Sequence, residues 1–388
     1  MTFYYPPDLS AGSFRSWALI NGLSRQAGKE WDVDVVTTMP NRYSSFSAEA
    51  LPFEKNGPVS VRRIPLPDHQ SGMRDQAVSF AGFARQVRKI VLKKGYDAVF
   101  ATTSRLATGV LGALIANRRK IPLYLDVRDI FSETIEDVLG SSPARALVPA
   151  IRAAEKYAVS SAARVNVVSG GFLPYFRKRG LGDKFQVFPN GIDEEFLEKD
   201  FSGNRSFGEK KVLLYAGNIG EGQGLHRIVP ELSRGLGSEW IIRIVGDGGK
   251  RHELDNRLEA LGVANVERLA PVHRSRLMEY YKQADVLFLH LNDYRAFKRV
   301  LPSKIFEYAA TGKPVLAGVG GYSAAFLEEN VANAGVFPPC NGDAGASALK
   351  SLRLEHTPRK DFVGKYSRNA IIDKMVEDMM YIFDRKWV

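Results

Sequence analysis

KVLLYAGNIGEGQGL, residues 211–225, is an apolar β-rich run that breaks into a glycine-rich turn, with a helical pattern beyond it. Gly217, Gly220, Gly222 and Gly224 let a backbone approach an anion closely. The turn matches no P-loop, and alone it reads equally well as a flexible connection. What decides the fold is the order strand, turn, helix, because it recurs. Downstream it returns as the strands EWIIRIVG (239–246), VERLA (266–270), ADVLFLHL (284–291) and KPVLAG (313–318). Between them lie helical patterns such as KRHELDNRLEALG (250–262) and SRLMEYYKQ (275–283).

Upstream the same alternation fills the first half. The strands read WDVDVVTT (31–38), VSVRRIP (59–65), YDAVFATT (96–103), PLYLDV (122–127) and RVNVVS (164–169). An earlier, short strand is expected just before PPDLSAGS (6–13). Strand–helix alternation implies a parallel sheet covered on both faces, and two successive sets imply two doubly wound α/β domains. The join falls at FPNGIDEEF (188–196), where Pro189 ends a strand and Asn190-Gly191 signals a turn. The predicted divisions are 1–188, 189–365 and a C-terminal amphipathic helix over 366–388, with a hinge near 203–211.

The 388 residues carry a net charge of +11 and a single cysteine, Cys340. One cysteine allows no internal disulfide and no cysteine cluster for zinc, which fits a reducing compartment. No apolar run approaches the roughly 18–20 residues needed to span a bilayer. LATGVLGALIA (106–116) reads as a buried helix, and the N-terminal stretch does not read as a signal peptide. Up to Asn190 there are 26 Lys and Arg against 16 Asp and Glu, whereas the remainder is nearly balanced at 28 against 27. A basic half points to an anionic partner. Within it, FAGFARQVRKIVLKK (80–94) sets Phe80, Phe83, Val87 and Ile90 or Val91 on one stripe and five cations on the rest. The stripe suits a sheet-packed helix, and the cations suit an anionic membrane surface.

In open α/β sheets, ligands bind where strands end and helices begin. VLPSKIFEYAATGKPV (300–315) opens a helix with Pro302. Ser303 and Lys304 present free N–H groups and a cation to a phosphate. Glu307 shares a face with Lys304 and can accept from both hydroxyls of a ribose. Read alone, the pair is equally an i,i+3 surface ion pair worth about 0.2–0.5 kcal/mol. Gly12 and Ser13 open the first helix, and Arg128 and Asp129 stand at a strand end in LDVRDIFSE (125–133).

Taken in order, FYYPPDLSAGSFR, VVTTMPNRY, LDVRDIFSE, RVNVVS, FPNGID, YAGNIGEGQGL, IVGDGG and LPSKIFEYAATGKPV resemble the family 4 retaining glycosyltransferases of the GT-B fold. The resemblance runs almost end to end. It is nearest to bacterial transferases of O-antigen and capsule synthesis that use N-acetylfucosamine-type amino sugars. It implies two Rossmann-like domains facing across a cleft, with the nucleotide sugar mostly on the second.

The resemblance also implies roles. Glu307 takes the ribose, amides of Ser303 and Lys304 hold the diphosphate, and the turn at Gly12 and Ser13 closes on the phosphates. Val272 lines the base, and the last helix returns to the first domain. In the second glycine turn, Gly217, Asn218 and Gln223 face the donor, with Asn218 and Gln223 where many relatives carry Arg and Lys. Arg299, beside Lys298, stands where many carry a second Glu, and Arg128 where many carry His. Relatives usually have a few more apolar residues before FYYPP, so a clipped first strand is expected.

The implied reaction moves a sugar, expected to be UDP-linked, to a lipid-linked (polyprenyl diphosphate) saccharide at the cytoplasmic face of the plasma membrane. Arg128, Asp129, Arg299 and Lys304 are the catalytic candidates. No metal or other cofactor and no nucleic-acid partner are expected. A GT-B-fold nucleotide-sugar epimerase is the alternative, and a basic nucleic-acid-binding protein the third reading.

Overall fold

The computed structural model describes residues 1–8, 10–26, 30–40, 49–66, 73–140, 142–182, 184–203 and 210–384, with backbone only for 73–76. The chain forms two compact units, Met1–Asn190 with Asn369–Val388, and Gly191–Arg368. The boundaries fall at 190/191 and 368/369, not at 188/189 and 365/366. Ile192 donates its N–H to Tyr366 O and its carbonyl accepts from Arg368 N, both at 2.8 Å, so the outgoing and returning strands of chain stay together in the second unit. Most of the expected hinge over 203–211 lies outside the described residues.

In the first unit, β1 (Val33–Thr38), β2 (Phe53–Asn56) and β3 (Val59–Ile64) form a sheet in the order β1-β3-β2. A parallel sheet runs β4 (Val99–Thr102), β5 (Leu123–Val127), β6 (Arg164–Val167), β7 (Phe185–Val187). The expected first strand is not a regular strand. Instead, Thr2 donates to Val36 O and Met1 O accepts from Thr102 N, both at 3.2 Å, so this short segment is laced to β1 on one side and β4 on the other. The helix Leu106–Arg119 buries Thr108, Gly109, Gly112, Ala113 and Ala116, the small-residue face read from the sequence. On Met73–Leu92, Phe83 and Val87 are fully buried while Arg85, Arg88 and Lys89 are exposed, as are Lys93 and Lys94 just beyond its end.

The second unit is one parallel sheet of β8 (Lys211–Ala216), β9 (Trp240–Val245), β10 (Val266–Leu269), β11 (Val286–His290), β12 (Val315–Gly318) and β13 (Ala334–Phe337). Its order is β10-β9-β8-β11-β12-β13. Side chains alternate across it. Leu213, Tyr215, Val286 and Phe288 enter one apolar layer, and Leu214, Ala216, Leu287 and Leu289 the other. Covered on both faces, these strands are almost continuously apolar. The order reverses between β8 and β11, and that crevice is where such sheets bind ligands.

The C-terminal helix expected over 366–388 is Arg368–Phe383, and a separate helix, Lys360–Tyr366, precedes it. Ser367 between them is extended (φ −53°, ψ 129°) and bridges to Ile192. The first helix packs Phe362 in the second unit. The second packs Ile372, Met375, Val376 and Met379 against Ala18, Leu19, Leu23 and Tyr124 of the first unit, and Tyr124 OH donates to Asp378 at 2.9 Å.

Candidate active site

The reversal point of the second unit is built by the ends of β8 and β11. After β8, the chain turns at Gly217 (φ 143°), which a side chain rarely adopts. A Cβ there would collide with the Nζ of Lys304, so the missing side chain is the space the ammonium occupies. Lys304 Nζ also lies 5.4 Å from the ring centroid of Tyr215, a cation–π placement that holds it over the turn. Tyr215 OH donates to Asn218 O at 2.7 Å, and Asn218 Nδ2 donates to Gln223 Oε1 at 2.8 Å. Asn218 and Gln223 are therefore paired with each other.

The turn is tied to β11. Asn292 N donates to Gly222 O at 2.8 Å, and Asn292 Nδ2 donates to Glu221 O at 3.0 Å. Tyr294 OH donates to Glu221 Oε1 at 2.6 Å. His290, 2% exposed, uses both ring nitrogens. Nδ1 meets Gln223 O at 2.7 Å and must donate, so Nε2 accepts from Cys340 N at 2.9 Å. A second proton would face that amide, and burial pushes the imidazole down to about 4. The folded pKa is depressed, so stability is present above the unfolded value of about 6.5 and is lost as pH falls from there toward 4. The loss expected is about 3 kcal/mol. Denaturation of the second unit at pH values across this window should show it, and His290→Gln should flatten the slope.

Helix Ser303–Ala310 begins after β11, with Pro302 extended at its N-cap (φ −63°, ψ 139°) and no capping side chain. Its first N–H groups have no partner within the helix. Ser303, Lys304 and Glu307 are half-buried. Burial raises the Glu307 pKa and Arg274 opposes that rise, with Asp193 raising it further and Lys304 and Arg368 lowering it. Tyr281 OH donates to Glu307 Oε2 at 3.4 Å. Arg274 pairs with Asp193, and its Nε reaches Glu195 Oε2 at 2.8 Å. Asp193 also holds Arg368 Nε at 2.6 Å.

Of the residues picked from sequence, Lys304, Gly217, Ser303 and Glu307 share this helix end, and Asn218 and Gln223 share the turn. Val272 is half-buried against the same core. Arg299 ends the short 3-10 turn Ala296–Arg299, and exposed Lys298 lies 3.5 Å from Asp293. Asp193, Arg274 and Arg368 were missed. Asp193 sits in FPNGIDEEF, which reads as a domain join, and its partners are far along the chain.

In the first unit, Gly12 and Ser13 open the helix Ala11–Gln26. A Cβ on Gly12 would lie 2.8 Å from Ser104 Oγ, and Ser13 N donates to Ser10 Oγ at 3.2 Å. Arg128 and Asp129 follow β5, with Arg128 N donating to Thr103 Oγ1 at 2.9 Å. Burial raises the Asp129 carboxyl to about 6 against the opposing charge of Arg128.

Two sequence families match the chain in succession. Residues 17–191 match a glycosyl transferase 4-like domain, and residues 197–370 match the glycosyl transferases group 1. The chain is a GT-B glycosyltransferase. Both matched families are transferases, which leaves the epimerase alternative unsupported. Over 103 residues it is 33% identical to a protein of Escherichia coli (strain K12) named as the colanic acid biosynthesis glycosyl transferase WcaI. That alignment spans 26% of this chain and 25% of the relative. The sucrose-phosphate synthase of Thermosynechococcus elongatus superposes with a TM-score of 0.75 at 16% identity, covering 98% of each chain. The Anabaena protein HepE, solved in complex with UDP, gives 0.64 at 16% identity, covering 98% of this transferase and 99% of HepE.

Proposed function

We propose that this glycosyltransferase moves an N-acetylated amino sugar from a UDP-linked donor to a lipid-linked saccharide, with retention, in surface polysaccharide synthesis. The observation that carries the donor reading is the cluster at one helix end: Lys304 over Gly217, the helix's first amides at Ser303 and Lys304, and Glu307 one turn on. A diphosphate fits the cation and amides, and a ribose diol fits the carboxylate. The UDP in HepE and the colanic acid name of WcaI support the nucleotide and the pathway class. The exposed cations Arg85, Arg88 and Lys89 on Met73–Leu92, with Lys93 and Lys94 just beyond it, support a polyprenyl diphosphate acceptor at the cytoplasmic face of the plasma membrane.

In this reading the leaving diphosphate takes the proton of the attacking hydroxyl on the same face of the sugar. Lys304 and Arg299 stabilise the charge that grows on it. Arg128 with Asp129 meets phosphate or acceptor. Gly217, Asn218, Gln223, Val272 and Lys298 contact the donor, and no metal is required. A thermal-shift panel of UDP-, GDP- and dTDP-sugars tests the reading. A ligand at a hundred times its dissociation constant stabilises by about 2.7 kcal/mol. The UDP-sugars are expected to give the largest shift; no shift with any nucleotide sinks the proposal.

A further inference from the structure

We propose that a cavity in the first unit, lined by Arg152, Lys156 and Arg179 with Phe176 and Leu181, binds a phosphate ester. The cations hold the phosphate and the apolar side chains meet the organic part. The donor cluster at Lys304 belongs to the second unit, so this is a separate site.

Two stretches of chain build the cavity. The helix Val148–Ser161 supplies Arg152, Glu155 and Lys156, and the chain from Tyr175 to Leu181 supplies the rest. Its volume is about 210 Å³, far above the roughly 10–15 Å³ that a single water needs. The wall carrying Glu155 is already complete. Ser132 Oγ donates to Glu155 Oε2 at 2.8 Å, Tyr175 OH donates to the same oxygen at 2.6 Å, and Ser132 N reaches Oε1 at 3.4 Å. All three residues are buried. The carboxylate is committed to these neutral donors, and among the described residues it forms no ion pair with the cations around it.

The cations are left under-compensated. Lys156 is exposed and has no hydrogen bond or ion pair among the described residues. Arg152 shares Glu136 with Arg145, at 3.2 and 3.1 Å, and its buried Nε has no acceptor. Arg179 lies 3.5 Å from the ring centroid of Tyr175 and donates through Nη1 to Tyr175 O at 3.0 Å, with no carboxylate partner among the described residues. Stacking fixes that guanidinium, so little freedom is lost when its other N–H groups meet a ligand. Two planar forks and one ammonium suit phosphate better than carboxylate. A phosphate monoester brings three acceptor oxygens and nearly two charges at neutral pH, and a carboxylate two oxygens and one charge. Phe176 and Leu181, 1% and 9% exposed, give the organic part an apolar surface.

A phosphate ester reaches a protein as a free molecule or as a lipid headgroup, and two probes separate these. Glycerol 1-phosphate is titrated into the full chain by calorimetry with UDP present, and vesicles of phosphatidylcholine with and without phosphatidate are titrated separately. Saturable binding of glycerol 1-phosphate identifies a free ester. Binding only to the phosphatidate vesicles identifies a headgroup. In either case Lys156→Gln should weaken binding about fivefold. Lys156 touches no partner, so that variant leaves the fold undisturbed. Arg152→Gln combined with Arg179→Gln should weaken binding about 100-fold.

Lys350→Gln removes one exposed charge from the second unit and should change nothing. Equal losses in Lys156→Gln and Lys350→Gln would be the response of a basic surface to any anion, and they overturn the proposal. Binding of neither probe overturns it, as does binding that Lys156→Gln leaves intact. Lys304→Gln guards against confusion with the donor cluster. If it abolishes binding of glycerol 1-phosphate, the ester sits in the second unit and the cavity is not its site.

Discussion

Glu307→Ala is expected to weaken donor binding by about 100- to 1,000-fold while leaving the fold of the second unit intact. The carboxylate is proposed to accept from two ribose hydroxyls, and each hydrogen bond to a charged group contributes about 1.5–3 kcal/mol. Part of that is recovered when water fills the vacated space. Stability should not fall in step. Burial already disfavours the ionised form of Glu307, as its raised pKa shows, and Arg274 retains Asp193 and Glu195 as partners. Calorimetry with the nucleotide that wins the donor panel, alongside denaturation of the same variant, measures both quantities. Unchanged affinity would remove Glu307 from the site. Equal losses of affinity and stability would make it a structural residue. A group that strains the fold while serving a ligand is the usual mark of a functional position.

That residue was legible because its signal is local. Pro302, Lys304 and Glu307 lie within two helical turns, so spacing alone places them at one end and on one face. The same holds for β8 and its glycine turn, where the apolar run and Gly217 are contiguous. The buried stripe of Met73–Leu92 was legible too, since Phe83 and Val87 follow helical period. Two of the edge strands, β2 and β7, were not. β2 is exposed along most of its length, and β7 is three residues long, so neither carries the apolar alternation of a covered strand.

Long-range charge pairs were the other gap. Arg274 and Asp193 are separated by 81 positions, and Arg368 returns from the far end of the unit. No periodicity links them, and only the closing of the two chain crossings at Ile192 and Ser367 brings them together. The break at Ser367 belongs to the same cause. The helical pattern continues through it, but the backbone bonds of Tyr366 and Arg368 to Ile192 override local propensity.

Asp126→Ala is expected to destabilise the first unit by about 3–5 kcal/mol, the cost of leaving a buried charge without its partner. Asp126 and Arg15 are 2% and 3% exposed, and Arg15 Nε meets Asp126 Oδ2 at 3.2 Å. Arg15 Nη2 makes a second 3.2 Å contact to Oδ1, and Asn166 Nδ2 donates to the same oxygen at 2.6 Å. Burial works against this carboxylate, yet Arg15, Arg128 and Asn166 together hold its pKa below the usual range. The guanidinium also donates to Pro189 O at 2.7 Å and Phe188 O at 2.9 Å. Those carbonyls stay in place in the variant but cannot neutralise the charge. Hydrogen exchange locates the effect: protection should fall across β4 to β7 and stay unchanged across β8 to β13. The pH dependence gives an independent check. A depressed folded pKa contributes stability that is present above the unfolded value and lost as pH falls through the folded one. That acid-side loss should be present in the unaltered protein and missing in Asp126→Ala. Replacing both partners, as Arg15→Met with Asp126→Leu, should recover most of the stability, because the penalty lies in the unpaired ion. If the double variant is as unstable as the single one, the segment Phe188–Asn190 needs the guanidinium itself, and the role of Arg15 is to hold the chain where the first unit ends.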